Sequence, residues 1–172
     1  MPIRTTFLAA AVWAIGNSLA CAGPVPHGEG IRPASFTPII APSQTGASLV
    51  LYSGSRSDLR WYGHGSLVRS LALCVASPTG RYRVTISSTM GGAASGGERI
   101  PYSLSFTDGS GFQQVGKIER SAQVAFDGTA PASAQCVDGP NATLTITMDE
   151  QSLASGVAGN YADGLQLTVE TR

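Results

Sequence analysis

The side chains most able to do chemistry in this 172-residue chain are few and scattered. The histidines are His27 and His64, and the cysteines are Cys21, Cys74 and Cys136. A Ser-His-Asp relay needs a histidine between a serine nucleophile and an orienting carboxylate. Serines are plentiful, and Asp127 or Asp138 supplies a carboxylate, but no nucleophile-elbow pattern surrounds any serine. His64 sits between two glycines in Trp61-Tyr62-Gly63-His64-Gly65-Ser66, which reads as a solvated loop. Metal sites need ligand pairs at short spacing, and His27, His64, Cys74 and Cys136 offer none. Gly91-Gly92 and Gly96-Gly97 are spaced as in a phosphate loop, but no Lys-Ser/Thr follows and no strand-to-helix setting is evident. Trp61-Tyr62 suits either sugar stacking or ordinary packing. Asn141-Ala142-Thr143 matches a glycosylation acceptor. These patterns argue against an enzyme and imply no cofactor and no metal.

What positions these residues follows from composition. Acidic and basic residues balance at 11 each, so no basic stripe points to nucleic acid. Charged residues make up only 13%, there are 21 glycines, and Lys117 is the sole lysine. A chain poor in helix-surface residues and rich in strand and turn residues is expected to be all-β. Arg4, an apolar run from Phe7 to Ile15, and Ala20-Cys21-Ala22 predict a secretory signal peptide over residues 1–22, cleaved after Ala22. The run is too short for a membrane span, and none is expected in the mature chain. A lipoprotein reading would acylate Cys21, but Ser18 stands where such signals carry Leu. Export leaves Cys74 and Cys136, an even pair that reads as a disulfide.

Residues 23–46 form a Pro-rich arm, with Pro24, Pro26, Pro33, Pro38 and Pro42 arguing against a helix or a central strand. From 47 to 172, alternating runs predict about seven strands. They are Ala47–Gly54, a pair either side of Ser77-Pro78-Thr79-Gly80 that reads as a hairpin, and a run from Arg99 through Tyr102, Leu104 and Phe106. Further runs carry Val124 and Phe126, then Leu144, Ile146 and Met148, then Leu165, Leu167 and Val169. Gly91–Gly97 reads as a flexible loop, and the stretch after Met148 as one helical turn. Half-buried strands in this number predict a two-sheet sandwich.

In order, "LCVASPTGRYRVTIS", "ERIPYSLSFTDG" and "AGNYADGLQLTVE" resemble the spore coat protein U domain, which builds Csu-type pili of the archaic chaperone–usher class. The likeness covers roughly Ser66 to Arg172, and its motif residues are Arg99, Tyr102, Leu104, Tyr161 and Asp163. Two departures stand out: no cysteine occurs between Gly23 and Leu73, and Gly164 follows Asp163 where a β-branched or hydroxyl residue is more usual. The resemblance implies an incomplete immunoglobulin-like β-sandwich, completed by a donated strand. It implies a fimbrial subunit at the cell surface that supports attachment and biofilm formation. Its partners would be a periplasmic pilus chaperone, an outer-membrane usher and other pilin subunits. Leu165, Leu167 and Val169 would border the groove, and Ile31, Phe36, Ile39 and Ile40 would be the plugs of the donor arm. The alternative donor, Ala47 to Tyr52, is more often an ordinary first strand, and the Pro-rich arm is favoured by position. A rival function is a self-contained secreted β-sandwich that binds carbohydrate.

Overall fold

The computed structural model describes residues 32–43, 45–52, 57–119, 123–130, 136 and 139–172. The expected signal peptide and residues 23–31 of the arm, including Ile31, lie outside them.

The described residues fold as an all-β sandwich of twelve strands and one helical turn. The strands are β1 (Arg32–Ile40), β2 (Ser48–Leu51), β3 (Ser57–Trp61), β4 (Leu67–Ala76), β5 (Arg81–Ser88) and β6 (Ala93–Ser95). They continue as β7 (Glu98–Ile100), β8 (Tyr102–Thr107), β9 (Gln113–Ile118), β10 (Gln123–Thr129), β11 (Ala142–Met148) and β12 (Tyr161–Thr171). The turn α1 (Glu150–Ser155) is capped by Asp149, whose side chain accepts from the Ser152 N–H. The first sheet runs β10-β5-β12-β1-β3, with the β6–β7 hairpin joined to β12. The second runs β2-β4-β11-β8-β9.

The expected alternations fix which face of each strand is buried. Leu71, Leu73 and Val75 on β4 and Tyr82, Val84 and Ile86 on β5 are all buried, each set on the core face of its own sheet. Aromatic contacts join the layers: Phe106 of the second sheet packs on Tyr82 at 6.3 Å and on Phe126 at 5.6 Å, both from the first.

Four expectations are corrected. The strand count is twelve, not about seven. Strands β4 and β5 form no hairpin. The turn between them exists, closed by the Gly80 N–H donating to the Ser77 carbonyl at 3.0 Å, but it carries the chain from one sheet to the other. Strand β4 pairs with β2 and β11, and β5 with β10 and β12. The Gly91–Gly97 loop is instead mostly the β6–β7 hairpin, turning on Gly96 and Gly97, both with positive φ (55° and 95°), as a two-residue hairpin turn requires. Pro101 then separates β7 from β8, which belong to different sheets.

The fourth correction concerns the prolines. Strand β1 is central: it runs parallel to β12 over Ala34–Ile40 and antiparallel to β3 over Arg32–Phe36. The Ala41 N–H donates to the Leu167 carbonyl at 2.9 Å. The two-residue period then turns the odd-numbered backbone groups of this segment toward β12 and the even-numbered ones away. Pro38 faces its nitrogen away from β12, past the point where β3 ends its pairing. Pro33 faces its nitrogen toward β12, before that register begins at Ala34. Only Ala34–Phe36 has neighbours on both sides, and it contains no proline. Each proline therefore sits where no partner needs its missing N–H.

That account predicts position-dependent tolerance. Ser35→Pro removes a donor aimed at β12 and should cost about 1–3 kcal/mol. Pro33→Ala should change stability by no more than about 1 kcal/mol. Urea unfolding midpoints of the two variants measure the difference.

Candidate functional site

The segment expected to be a donor arm is seated in the groove beside the C-terminal strand of its own chain. Its inward residues are Ala34, Phe36 and Pro38. Phe36 is fully buried, whereas Ile39 and Ile40 face solvent at 53% and 37% exposure. Leu165, Leu167 and Val169 line the core face of β12. The edge expected beside them is occupied by β1 as far as Leu167. Past Leu167, β12 has only β5 alongside in its sheet among the described residues, and the Thr171 N–H donates instead to the Thr45 hydroxyl at 3.0 Å. A cleft of about 330 Å3 opens there, lined by Ile40, Leu49 and Val169 among others.

The seat of Phe36 is built from three strands. Its ring meets Tyr102 edge-on, with centroids 5.1 Å apart and planes at 75°. The Tyr102 hydroxyl donates to Asp163 Oδ2 at 2.7 Å, and the Ser88 hydroxyl donates to the same oxygen at 2.5 Å. Asp163 Oδ1 accepts from the Thr89 hydroxyl and from the Met90 N–H, each at 3.2 Å. Ser88 Oγ in turn accepts from the Gly91 and Gly92 N–H groups at 2.7 and 3.3 Å. Asp163 is thus a buried carboxylate with four donors, the condition under which burial of such a group is tolerated. Burial, and next the hydrogen bond to Asp163, push the Tyr102 phenol far above its ordinary pKa. Tyr102 remains neutral, and its hydroxyl remains a donor, across the physiological range.

Of the residues singled out by resemblance, Tyr102 and Asp163 are in contact, and Leu104 is buried two residues along β8. The hydroxyl of Tyr161, at the start of β12, lies 2.9 Å from Glu98 Oε2 and 2.7 Å from the Val157 carbonyl, with its one proton directed between these two acceptors. Glu98 Oε2 also accepts from the Val157 N–H at 2.8 Å, so one carboxylate fastens the β6–β7 hairpin to the turn before β12. Arg99 is exposed, on the rim of a separate cleft. Gly164 is explained by packing: a Cβ there would stand 2.9 Å from Thr89 Oγ1, displacing a ligand of Asp163.

A second buried carboxylate lies beyond the far end of β8. Asp108 accepts from the Ser110 N–H (2.9 Å), the Ser110 hydroxyl (2.6 Å), the Phe112 N–H (3.1 Å), and the Thr129 N–H and hydroxyl (3.1 and 3.3 Å). Burial raises its pKa, but the Ser110 hydroxyl and the three backbone donors outweigh that and hold it below the usual carboxylate range. The sequence showed Asp108 only as turn punctuation before Gly109. Ser88 and Glu98 carried no signal beyond their strand positions, and Thr89, just past the end of β5, carried none.

Cys74 and Cys136 form a disulfide with Cα atoms 5.5 Å apart, closing a separation of 62 residues. Among the described residues no helix is long and apolar enough to cross a membrane. The disulfide is compatible with an oxidising, extracellular location. His64 is exposed in the loop after β3, with no serine or aspartate hydrogen-bonded to it among the described residues; Asp138 lies outside them. Trp61 and Tyr62 part company: Trp61 is buried and donates to the Gly65 carbonyl at 2.7 Å, while Tyr62 points outward. The Asn141 amide accepts from the Val75 N–H and donates to the Val75 carbonyl at 2.8 and 2.7 Å, so it substitutes for a strand rung. Comparison of the chain with protein-family models and with curated proteins finds no match in either.

Two predictions follow the two carboxylates. Asp163→Ala leaves four donors without their acceptor and should cost about 3 kcal/mol; Tyr102→Phe leaves Asp163 three of its donors and should cost about 1 kcal/mol. Chemical denaturation at neutral pH reads both. The Asp108 pKa lies below its unfolded value of about 4, so its stabilisation is full above that value and is lost as pH falls through the folded pKa. Asp108→Asn should therefore flatten the decline in stability between about pH 5 and pH 2 while lowering stability at pH 7, as unfolding midpoints across that range will show.

Proposed function

We propose that the chain is a structural subunit of an extracellular fimbria that polymerises by strand exchange, in the manner the spore coat protein U resemblance implies. The observation that carries this reading is the seat of Phe36. A proline-rich N-terminal segment supplies a fully buried aromatic plug to the groove beside the last strand. It pairs there mainly through main-chain contacts, the mode by which strand addition works. A neighbour's segment could occupy the same seat with the same hydrogen bonds. The stretch of β12 after Leu167, whose edge opposite β5 has no strand partner among the described residues, supports the reading together with its adjoining cleft. In this scheme the sandwich is immunoglobulin-like. A periplasmic chaperone would hold the seat open, an outer-membrane usher would hand it to the next subunit, and the polymer would support surface attachment and biofilm formation.

One observation favours the rival, a self-contained secreted sandwich: the groove is filled by the chain's own β1. A reversible lock separates the two. Ile39 and Gln166 are exposed Cα partners on β1 and β12. In the variant Ile39→Cys/Gln166→Cys, oxidation ties β1 to its own β12. Strand exchange predicts that concentrated wild-type protein, refolded after unfolding, forms SDS-resistant oligomers on size exclusion, that the oxidised variant stays monomeric, and that each single-cysteine variant polymerises as wild type does. Oligomers from the locked form, or none from wild type at any concentration, would leave the self-contained sandwich as the answer.

A further inference from the structure

At the end of the sandwich near Asp108, strands β5 and β10, the β8–β9 loop and the end of β12 enclose a cleft of about 480 Å3. Three guanidiniums line it, from Arg81, Arg83 and Arg172, against two carboxylates. Of these, Asp108 is buried and fully engaged by its five hydrogen bonds. Asp127 takes a two-point contact from Arg83, both bonds 2.8 Å, and lies 3.6 Å from Arg172 Nε. Arg172 is also 3.6 Å from Glu170, whereas Arg81 is exposed and makes no salt bridge among the described residues, with Asp127 acting on it only through space.

The cleft also displays an aromatic ring. Phe112 is 61% exposed and lines the cleft. The loop that carries it is not loose. Asp108 holds the Ser110 and Phe112 N–H groups, the Asp108 N–H returns to the Phe112 carbonyl at 3.1 Å, and the Gly111 N–H reaches the Asp108 carbonyl at 2.9 Å. A buried carboxylate thus fixes a loop that presents an exposed ring to the cleft that Arg81 also lines. Rigid presentation of a contact residue lowers the ordering cost of binding.

A sugar ring offers a C–H face to an aromatic plane, and its hydroxyls match a site with donors and acceptors side by side, as in the Arg83–Asp127 pair. A sugar carboxylate suits an exposed guanidinium. The volume lies within the range of ligand sites. We propose that this cleft binds a uronic acid residue of an acidic polysaccharide, with its ring on Phe112, its carboxylate on Arg81 and its hydroxyls on the Arg83–Asp127 pair. This inference does not depend on strand exchange, since none of these residues belongs to β1 or its seat.

The test is calorimetric titration of the mature chain, as a monomer at low salt, with short oligomers of galacturonic and of glucuronic acid. Neutral galactose and glucose oligomers of the same length serve as controls. Saturable binding of an acidic oligomer is expected, weakened at least tenfold by Phe112→Ala and by Arg81→Gln and by raising the salt to half-molar. Arg60→Gln, an exposed arginine on β3, should stay within twofold of wild type. Phe112 and Arg81 are exposed, so neither variant should disturb folding, and circular dichroism verifies it. Binding of neither acidic oligomer, equal binding of a neutral one, or affinity unmoved by both cleft substitutions would each overturn the proposal.

Discussion

The hydrogen bond from Tyr102 to Asp163 is the contact on which the arrangement turns, because its partners belong to different sheets. A two-layer sandwich is held mainly by non-directional burial, which sets the distance between layers but not their alignment. A buried carboxylate is different. It must find donors where it lies or forfeit several kcal/mol. Asp163 takes its donors from Ser88 and the following residues of its own sheet and from Tyr102 of the other. Phe36 then fits because the Tyr102 ring is fixed by its own hydroxyl.

Strand β8 carries this logic twice. Tyr102 opens it, and Asp108 follows its last residue, roughly 20 Å away by strand rise. Asp108 reaches across to Thr129 of the first sheet as Tyr102 reaches across to Asp163. Between the two ties lies an apolar stretch, Leu104 and Phe106, with no polar contact to specify registry. On the same side, Gln114 of β9 accepts from the Asp127 N–H at 3.3 Å and donates to its carbonyl, joining the two sheet edges. Directional bonds thus sit at the rim and apolar packing in the middle. The Asp108 tie has a second use, since the loop that it fixes presents Phe112.

The strands that could be read from sequence are those with one buried face: β4, β5, β8, β11 and β12 each alternate because a layer of core lies on one side only. Partnership was not legible in the same way. Alternation says which face is buried, not whether the next strand lies alongside or opposite, so Ser77–Gly80 looked like a hairpin turn and is a crossing between layers. Strand β1 was hidden by its prolines, whose harmlessness depends on where β3 and β12 end their pairing. Strands β3 and β9 are edge strands, where polar residues and a glycine blur the period. In the site, the cysteine pair followed from counting, and Tyr102 and Asp163 stood out by resemblance. Their partners did not, because a serine or threonine that serves a buried carboxylate looks in sequence like any other strand residue.

The same geometry limits how the first strand could be exchanged. A segment moving from its own groove to a neighbour's keeps its main-chain bonds and its aromatic seat, so the exchange itself is nearly neutral. What decides the balance is concentration. The connection from β1 to β2 spans only residues 41–47, and a short tether gives the cis arrangement an effective concentration of about millimolar. Leaving the groove first exposes the Phe36 side chain, whose burial alone is worth about 2–3 kcal/mol, and uncovers Tyr102 beneath it. The closed monomer should therefore dominate in dilute solution. A polymer would require either local crowding of subunits or a partner that occupies the seat and prevents self-closure. A strand-donating chaperone has that property, and an ordinary soluble ligand-binding module has no need of one.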